Sequence, residues 1–497
     1  VLANSNVVNI IGISPAYAVV DSPTQAGGTF YGRIINGSAI NPIPSNKQSY
    51  DSAAHGWLSN FCVNSLVDAE HPLVISAATH PIQSLISTIS ATVVPTATGL
   101  PRLKTAAILT IVASTPSADA FRPPYAGNHK PAELTKADIH WNTLKTLAPV
   151  AGAPTLSASV AAFSHPWLVD KGPYPEAVIR PTDNMPLLHY GREQERACGI
   201  AALLLNLNYT QAQKEPLLWN FLQYGIDVYG IAACDETLVP TYDTYSPQRI
   251  WYGAGGIGIG HRTALVFAAR VLDHAGMQTT LTKQGDYLWE GVDANGYPNP
   301  YGPGSANFPP DYIQFGEEQV FSVRQIHVDL THNNAPGWPA WNVDSRDELE
   351  IAYETGDIGM PEWGIRQAEQ PNTVNNYVEA AYRLVVCPAT VGSALALQIM
   401  EAKMICHHNA WFDYYDRFAA WIQDVDYSYV YNGTTYYPFA ADKPWRIGAN
   451  GVDLYASSPF VMNMWHAYRG NYPPFWPVEI QTTYILTPKN FGESITI

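Results

Sequence analysis

The chain is organised around a stretch that begins with Asn184-Met-Pro-Leu-Leu-His-Tyr-Gly-Arg-Glu-Gln-Glu-Arg196 and ends with Gly255-Gly-Ile-Gly-Ile-Gly-His-Arg262. Apolar residues at helical spacing predict two long helices between these polar segments, at residues 198–206 and 215–229. Two successive helices flanked by His, Tyr and Arg indicate an active site at the rim of a helical array.

The bulk composition favours a globular protein with more than one structural unit. A chain of 497 residues exceeds the size at which one hydrophobic core stops growing, so we expect two domains or one domain with a large annex. The formal net charge of −16 disfavours nucleic-acid binding. With only 14% charged residues, the composition suits a secreted, cell-surface or virion-associated protein. The same charge counts against a polyanionic substrate, because long-range attraction would be poor, although a local cluster of Arg, His and Tyr can make a cleft positive and bind an anionic glycan.

The sequence contains no membrane span and no disulfide framework. No window reaches the roughly 18 unbroken apolar residues that a membrane helix needs. The five cysteines show no CxxC spacing, and Cys198, Cys387 and Cys406 fall in apolar helical patterns. We therefore predict these three to be buried thiols.

Four segments follow from the residue patterns along the chain. Residues 1–115 contain runs rich in β-branched residues and predict a β-sandwich-like accessory domain, whose role is to brace the helices or to bind carbohydrate. Residues 116–183 are rich in proline and predict an irregular arm that wraps across the next domain. Residues 471–497 form a C-terminal tail.

Residues 184–470 are predicted to form the helical, catalytic domain. Further helices are expected at 263–273, 376–386, 390–403 and 410–421, with Asn409 as the N-cap of the last one. Successive antiparallel helices with broad apolar faces predict an α/α toroid, or incomplete α/α barrel. The polar, aromatic insert at 287–363 is long enough to be functional.

The first candidate cluster contains Asn184, His189, Tyr190 and Arg192. These residue types suit a β-elimination that begins by removing the proton alpha to a uronate carboxylate. Such a reaction needs a base, an acid for the leaving oxygen and a group that neutralises the carboxylate. His and Tyr supply the first two, and Arg or Asn supplies the third. The alternative is that Arg192 and Arg196 only pair with neighbouring glutamates.

The second candidate cluster is His261 and Arg262 after the glycine run. This run lacks the ending of a phosphate-binding P-loop. The glycines instead let the backbone approach closely and place both side chains at the start of a helix, or they only shape a turn.

The third candidate cluster lies in the long insert and centres on Glu362. A carboxylate beside an aromatic residue suits a glycosidase, in which two carboxylates work across the scissile bond. His327 and His332 lack the spacing of a zinc helix, so we predict no metal and no cofactor. The remaining members of this cluster are Glu317, Glu318, Trp363 and Arg366.

Together with Pro361-Glu-Trp-Gly364 and Tyr382-Arg383, these clusters resemble the α/α-toroid polysaccharide lyases over residues 180–470. The resemblance implies β-elimination on a uronic-acid glycan such as alginate or glucuronan. Asn184 or Arg192 would neutralise the carboxylate, and His189, Tyr190 or His261 would move protons. The resemblance also makes Arg262, Trp363, Arg366 and Tyr382 candidate substrate-binding residues.

Our leading hypothesis is a polysaccharide lyase whose partner is a polysaccharide substrate, and an oligomer is compatible with it. It requires His189, Tyr190, Arg192, His261 and Arg262 to face one another with Glu362 opposite. A glycoside hydrolase on the same toroid, dependent on Glu362, is the second hypothesis. A non-catalytic carbohydrate-binding or structural component of a virion or surface assembly is the third.

Overall fold

The protein is represented by a computed structural model that describes strands in the first part of the chain and helices in the rest. The described residues are 7–14, 18–19, 34–41, 50–51, 56–57, 67–76, 82–90, 103–127, 129–167, 191–233, 259–283, 313, 315, 325, 355, 358–359, 380–423, 429–431, 434–436 and 458–472.

The N-terminal strands form one larger sheet and one ribbon. The strands are β1 (Val7–Ile10), β2 (Ala18–Val19), β3 (Ile34–Ile40), β4 (Tyr50–Asp51), β5 (Gly56–Trp57), β6 (Leu73–Ser76), β7 (Ile82–Ser90) and β8 (Leu103–Val112). The larger sheet has the order β4-β5-β3-β7-β8, with β2 pairing β3, and its β7–β8 ladder is antiparallel from Ile82↔Val112 onward. β1 and β6 pair separately as an antiparallel ribbon.

The two faces of the larger sheet bury different partners, because side chains alternate along a strand. Leu85 and Ile111 form a small cluster with Ile75 of the ribbon. Ile86 and Ala106, on the opposite face, belong to the hydrophobic cluster that also contains the helices. The larger sheet therefore lies between the ribbon and the helices.

The described part of the predicted arm crosses the helices. Leu147 forms a parallel bridge with Leu207, and Pro124 lies so close to Gly230 that a Cβ there would be 2.1 Å from the proline Cβ. The arm is less irregular than its proline content indicated, because residues 156–163 form a helix that was not predicted from the sequence. Thr155 caps this helix by accepting from the Ala158 nitrogen at 3.4 Å.

The helices follow the arm. They are α1 (Leu156–Phe163), α2 (Gly191–Leu205), α3 (Gln211–Ala232), α4 (His261–Val271), α5 (Ala275–Leu281), α6 (Ala380–Ile399), α7 (Lys403–Cys406), α8 (Asn409–Gln423) and α9 (Pro459–Tyr468). A short hairpin of β9 (Tyr429–Tyr431) and β10 (Thr434–Tyr436) lies between α8 and α9. No helix in the described part of the chain is long and apolar enough to span a membrane.

Small residues let the central helices pack closely. A Cβ on Gly199 of α2 would lie 2.7 Å from the backbone nitrogen of Ser393 in α6. A Cβ on Gly225 of α3 would lie 2.5 Å from both the carbonyl oxygen of Ala264 and the Cβ of Ala268 in α4. Glycine at these two crossings therefore sets the spacing between the helices.

Two local predictions were wrong. The expected break near Pro388 is absent, because α6 continues through it, and the proline costs one backbone hydrogen bond inside a helix whose residues from 386 to 400 are buried. Asn409 is the first residue of α8 rather than its cap. His408 takes the capping role, since its Nδ1 accepts from the Trp411 nitrogen at 3.2 Å.

The prediction for the cysteines in helical patterns is confirmed. Cys198, Cys387 and Cys406 are fully buried and belong to the main hydrophobic cluster. The remaining two cysteines lie outside the described residues, as do residues 473–497 of the predicted C-terminal tail.

Candidate functional site

The N-terminal ends of α2 and α4 meet at Gly260. This glycine has φ of +101°, a left-handed conformation that favours glycine. A Cβ at Gly260 would lie 2.7 Å from Gln194 Cγ and 3.0 Å from the Glu195 nitrogen. The glycine run predicted to allow close backbone approach thus brings His261 next to the first turn of α2.

Three polar side chains from three helices converge behind this contact. His261 Nδ1 lies 2.9 Å from the hydroxyl oxygen of Tyr224 on α3 and 3.1 Å from Nε2 of Gln194 on α2. Gln194 Nε2 also donates to the Tyr224 hydroxyl at 2.5 Å. Since an amide NH₂ only donates, Nδ1 acts here as an acceptor. The Tyr224 hydroxyl and the His261 imidazole are therefore close enough for a proton to pass between them.

Burial keeps the Tyr224 hydroxyl protonated. His261 is 0% exposed and Tyr224 4% exposed. Burial raises the pKa of Tyr224 well above its ordinary value, and the nearby Cys198 adds to that rise, while the hydrogen bond from Gln194 opposes it. Tyr224 is therefore a neutral phenol at neutral pH, and it becomes a base only by passing its proton to a neighbour.

A buried carboxylate lies beside this cluster. Glu195 is fully buried near the start of α2, and its Oε1 accepts a hydrogen bond from the Thr263 hydroxyl at 3.1 Å. Its negative charge also acts on Tyr224 and helps to keep that side chain protonated. Glu195 is thus part of the electrostatic surroundings of Tyr224 and His261, a role that goes beyond the predicted pairing with arginine.

Arg192 is held by an ion pair on the same helix turn. Its Nε lies 2.6 Å from Oε1 of Glu193, and Nη1 of Arg196 lies 2.8 Å from Oε2 of the same carboxylate. Both arginines therefore share Glu193, which is the pairing that the sequence offered as the alternative to substrate binding. This ion pair neutralises part of the positive charge at the N-terminal end of α2.

Arg262 packs between two aromatic rings. The guanidinium carbon is 5.3 Å from the ring centre of Phe315 and 5.4 Å from that of Trp411. Such contacts place a cation against the negative faces of π systems. Phe315 comes from the insert at 287–363, so at least this residue of the predicted functional insert reaches the site.

The structure brings three of the predicted site residues to one place. Arg192, His261 and Arg262 lie at the adjoining ends of α2 and α4. Tyr382 belongs to α6, but its side chain is not described. The other predicted residues lie outside the described part of the chain, namely Asn184, His189, Tyr190, Glu317, Glu318, His327, His332, Glu362, Trp363 and Arg366.

Sequence reasoning missed Tyr224 and Gln194. Nothing in the apolar run of α3 distinguishes Tyr224 from the other tyrosines of a chain that has 30. Gln194 did carry a signal, because it lies one helical turn before Cys198 and therefore on the same buried face of α2. A polar residue on an apolar face indicates a buried hydrogen-bonding partner.

Within the described ranges, no group of three or more His, Cys, Asp or Glu side chains has a metal-binding arrangement.

Comparison with known proteins finds no matching protein family, no similar curated protein and no similar solved structure. The function therefore has to be argued from the chemistry of the site.

Proposed function

We propose that the protein is a polysaccharide lyase that cleaves a uronic-acid glycan by β-elimination, with Tyr224 and His261 as the proton-transfer pair. The observation that carries this proposal is the 2.9 Å separation between His261 Nδ1 and the Tyr224 hydroxyl oxygen. We further propose that the helices from 184 to 470 form an incomplete α/α toroid and that the strand-rich segment is accessory.

Tyr224 and His261 can perform the elimination and end it in the same protonation states in which they began. Tyr224 passes its hydroxyl proton to His261 Nδ1, and its oxygen takes the proton at C5 of the uronate. The electrons of the broken C–H bond form the C4–C5 double bond, and the C4–O bond breaks. The leaving oxygen then takes the proton from Tyr224, and His261 returns its proton to the phenolate.

The neighbours of the pair have separate roles in this proposal. Gln194 fixes the orientation of both rings by donating to Nδ1 and to the hydroxyl oxygen. The N-terminal end of α4 and Arg262 supply positive potential beside His261, which favours the uronate carboxylate and the carbanion-like charge that develops on it.

Substrate reaches the pair only when its cover opens, because a fully buried group cannot touch a polymer in solvent. The Trp167 ring lies 4.8 Å from the Tyr224 ring, and the Phe163 ring lies 6.2 Å from it. These two side chains stack on each other at 4.5 Å. In the proposal they form part of a cover that opens during turnover.

The burial of His261 favours a second candidate, a carbohydrate-binding or structural protein without turnover. A buried, hydrogen-bonded His, Tyr and Gln cluster also serves to fix three helices in one arrangement. In that case the cluster has no contact with any ligand, and the protein binds glycans elsewhere.

Product analysis on a glycan panel separates these functions. The protein is incubated with alginate, glucuronan and a neutral glucan, and the absorbance of the unsaturated uronate and the number of reducing ends are both followed. A lyase produces both signals on a polyuronate only. New reducing ends without unsaturation indicate a hydrolase, and binding without either signal indicates the second candidate. Both of the latter results contradict the proposal.

A further inference from the structure

An apolar cavity lies where the larger sheet, the arm and α3 meet. Its volume is about 280 Å³, and its wall includes Ile82, Val112, Phe121, Leu134 and Ile226. Ile226 and Tyr224 are two positions apart on α3, so their side chains project roughly 200° apart around the helix axis. The cavity is therefore distinct from the His261 cluster.

The charged side chains of the cavity wall already have partners in the protein. Arg122 donates from Nη1 and Nη2 to the carboxylate of Asp227 at 2.9 Å and 2.5 Å. Glu133 accepts a hydrogen bond from the Ser117 nitrogen at 3.1 Å. An anionic ligand would lose its hydration here and find Arg122 already paired with Asp227, while the charge of Glu133 lies on the exposed part of the wall. The apolar part of the wall therefore favours an uncharged ligand.

The volume of the cavity and the position of Arg122 in its wall narrow the class of ligand further. An apolar cavity of roughly 150 Å³ takes one benzene ring, so this one has room for two fused rings. Asp227 binds the edge of the Arg122 guanidinium that carries Nη1 and Nη2, so a ligand in contact with this group would meet its planar face, which stacks on aromatic rings. A sugar fits poorly, because its hydroxyl groups would face the side chains of Ile82, Val112 and Leu134.

We propose that this cavity binds an uncharged aromatic molecule of two fused rings, such as a phenolic compound. The inference does not depend on the lyase proposal, since it uses none of the residues of the His261 cluster. Binding would join the sheet, the arm and α3 through one ligand, and it would raise the thermal stability of the folded protein by mass action.

The test uses 2-naphthol, its saturated analogue decahydro-2-naphthol and the anion 2-naphthoate, with binding measured by calorimetry on the full chain. Two variants change an exposed alanine to a bulky ring. Ala132→Trp fills the cavity from its wall, and Ala158→Trp adds the same ring on α1, away from the cavity.

We expect saturable binding of 2-naphthol by the wild type and by Ala158→Trp, and binding weakened by about tenfold or more in Ala132→Trp. If Ala132→Trp fails to fold, Ser117→Trp, at a second exposed wall position, replaces it. Absence of saturable binding, or equal binding by all variants, overturns the site. Equally tight binding of the saturated analogue or of the anion overturns the assigned ligand class.

Discussion

Lys214 is a charged side chain in a position that disfavours its charge. It is 4% exposed in the first turns of α3, and its Nζ donates to the carbonyl oxygen of Lys145 at 3.2 Å. Burial lowers the pKa of Lys214 from its ordinary 10.5 to about 8. Between these two values the unfolded chain binds more protons than the folded one, so this residue makes stability rise with pH across that window.

Replacing Lys214 by Met should therefore stabilise the protein. We expect Lys214→Met to raise the free energy of unfolding at pH 7 by about 1 to 2 kcal/mol, because it removes a charge that the fold desolvates. The gain should shrink as the pH rises past 8. Urea unfolding at pH 7 and pH 10 measures both effects.

Lys145→Met is the matched control for that experiment. Lys145 is 28% exposed and pairs with Glu401, whose side chain is 64% exposed, at 2.7 Å. Surface pairs of this kind contribute about 0 to 1 kcal/mol, so the control should not be stabilised. Equal effects of the two substitutions would contradict the role given to burial.

His274 makes the stability of the α5 cap depend on pH. Its Nδ1 accepts from the Met277 nitrogen at 3.1 Å and so caps α5, which requires the neutral ring. Burial lowers the pKa of His274, and the nearby His129 lowers it further, while its backbone hydrogen bond and the charge of Asp138 raise it. The stability that the neutral ring contributes is present above its ordinary pKa of 6.5 and is lost as the pH falls through the lower folded value.

His274→Asn tests this assignment, because asparagine also caps helices but does not titrate. We expect the thermal midpoint of the variant to fall less than that of the wild type on acidification below pH 6.5. Substituting the exposed His140 by Asn should leave the acid loss unchanged. An identical acid loss in His274→Asn would contradict the linkage.

The helices were the best predicted part of the fold, since their hydrophobic periodicity reflects the core that they bury. The pattern starting at Cys198 identified α2, although the helix begins seven residues earlier at Gly191. The start of α2 was not predicted because it is rich in charged residues, although these are buried; Glu195, for example, accepts a hydrogen bond from Thr263 of α4. At Pro388 the local rule for helix breaking failed because tertiary packing outweighed it.

The contact between α3 and α4 depends on Gly225. A Cβ at this position would lie 2.5 Å from the carbonyl oxygen of Ala264 and from the Cβ of Ala268. We expect Gly225→Ala to destabilise the protein by about 1 to 3 kcal/mol through overpacking. This loss outweighs the helix propensity gain of about 1 kcal/mol.

Gly470→Ala is the control, because a Cβ there would meet nothing within 4 Å. The double variant Gly225→Ala with Ala268→Gly should recover part of the loss by relieving one of the two clashes. Thermal unfolding followed by circular dichroism measures all three. If Gly225→Ala leaves the thermal stability unchanged, the crossing of α3 and α4 tolerates a wider spacing and the prediction is contradicted.

At the level of the whole molecule, the sheet, the arm and the helices share one hydrophobic cluster. The sequence predicted the position of each segment but not that the three segments share one core. Hydrophobic periodicity indicates which face of an element is buried, but not which other element covers that face. The same limit applies to the site. The sequence placed His261 and Arg262 at a helix start, whereas Tyr224 joins them only through the packing of α3 against α4.

The ion pair between the partly buried Arg122 and the buried Asp227 fastens the arm to α3. Burial raises the pKa of Asp227 more than Arg122 lowers it, so the pair contributes little net stability, while an unpaired charge there is costly. We expect Asp227→Leu to cost about 3 kcal/mol or more, and the double variant Arg122→Met with Asp227→Leu to cost clearly less. Urea unfolding of the two variants checks this, and equal losses would contradict it.

The central claim is that the Tyr224 hydroxyl moves the proton during elimination, and Tyr229 on the same helix offers a matched comparison. Both side chains are 4% exposed, and the Tyr229 hydroxyl lies 3.2 Å from His129 Nε2. The decisive measurement is the initial rate of unsaturated product formation on a polyuronate by Tyr224→Phe and Tyr229→Phe, with folding verified. The account predicts a rate loss of about a hundredfold or more for Tyr224→Phe and a nearly normal rate for Tyr229→Phe. Equal rates in the two variants would contradict it.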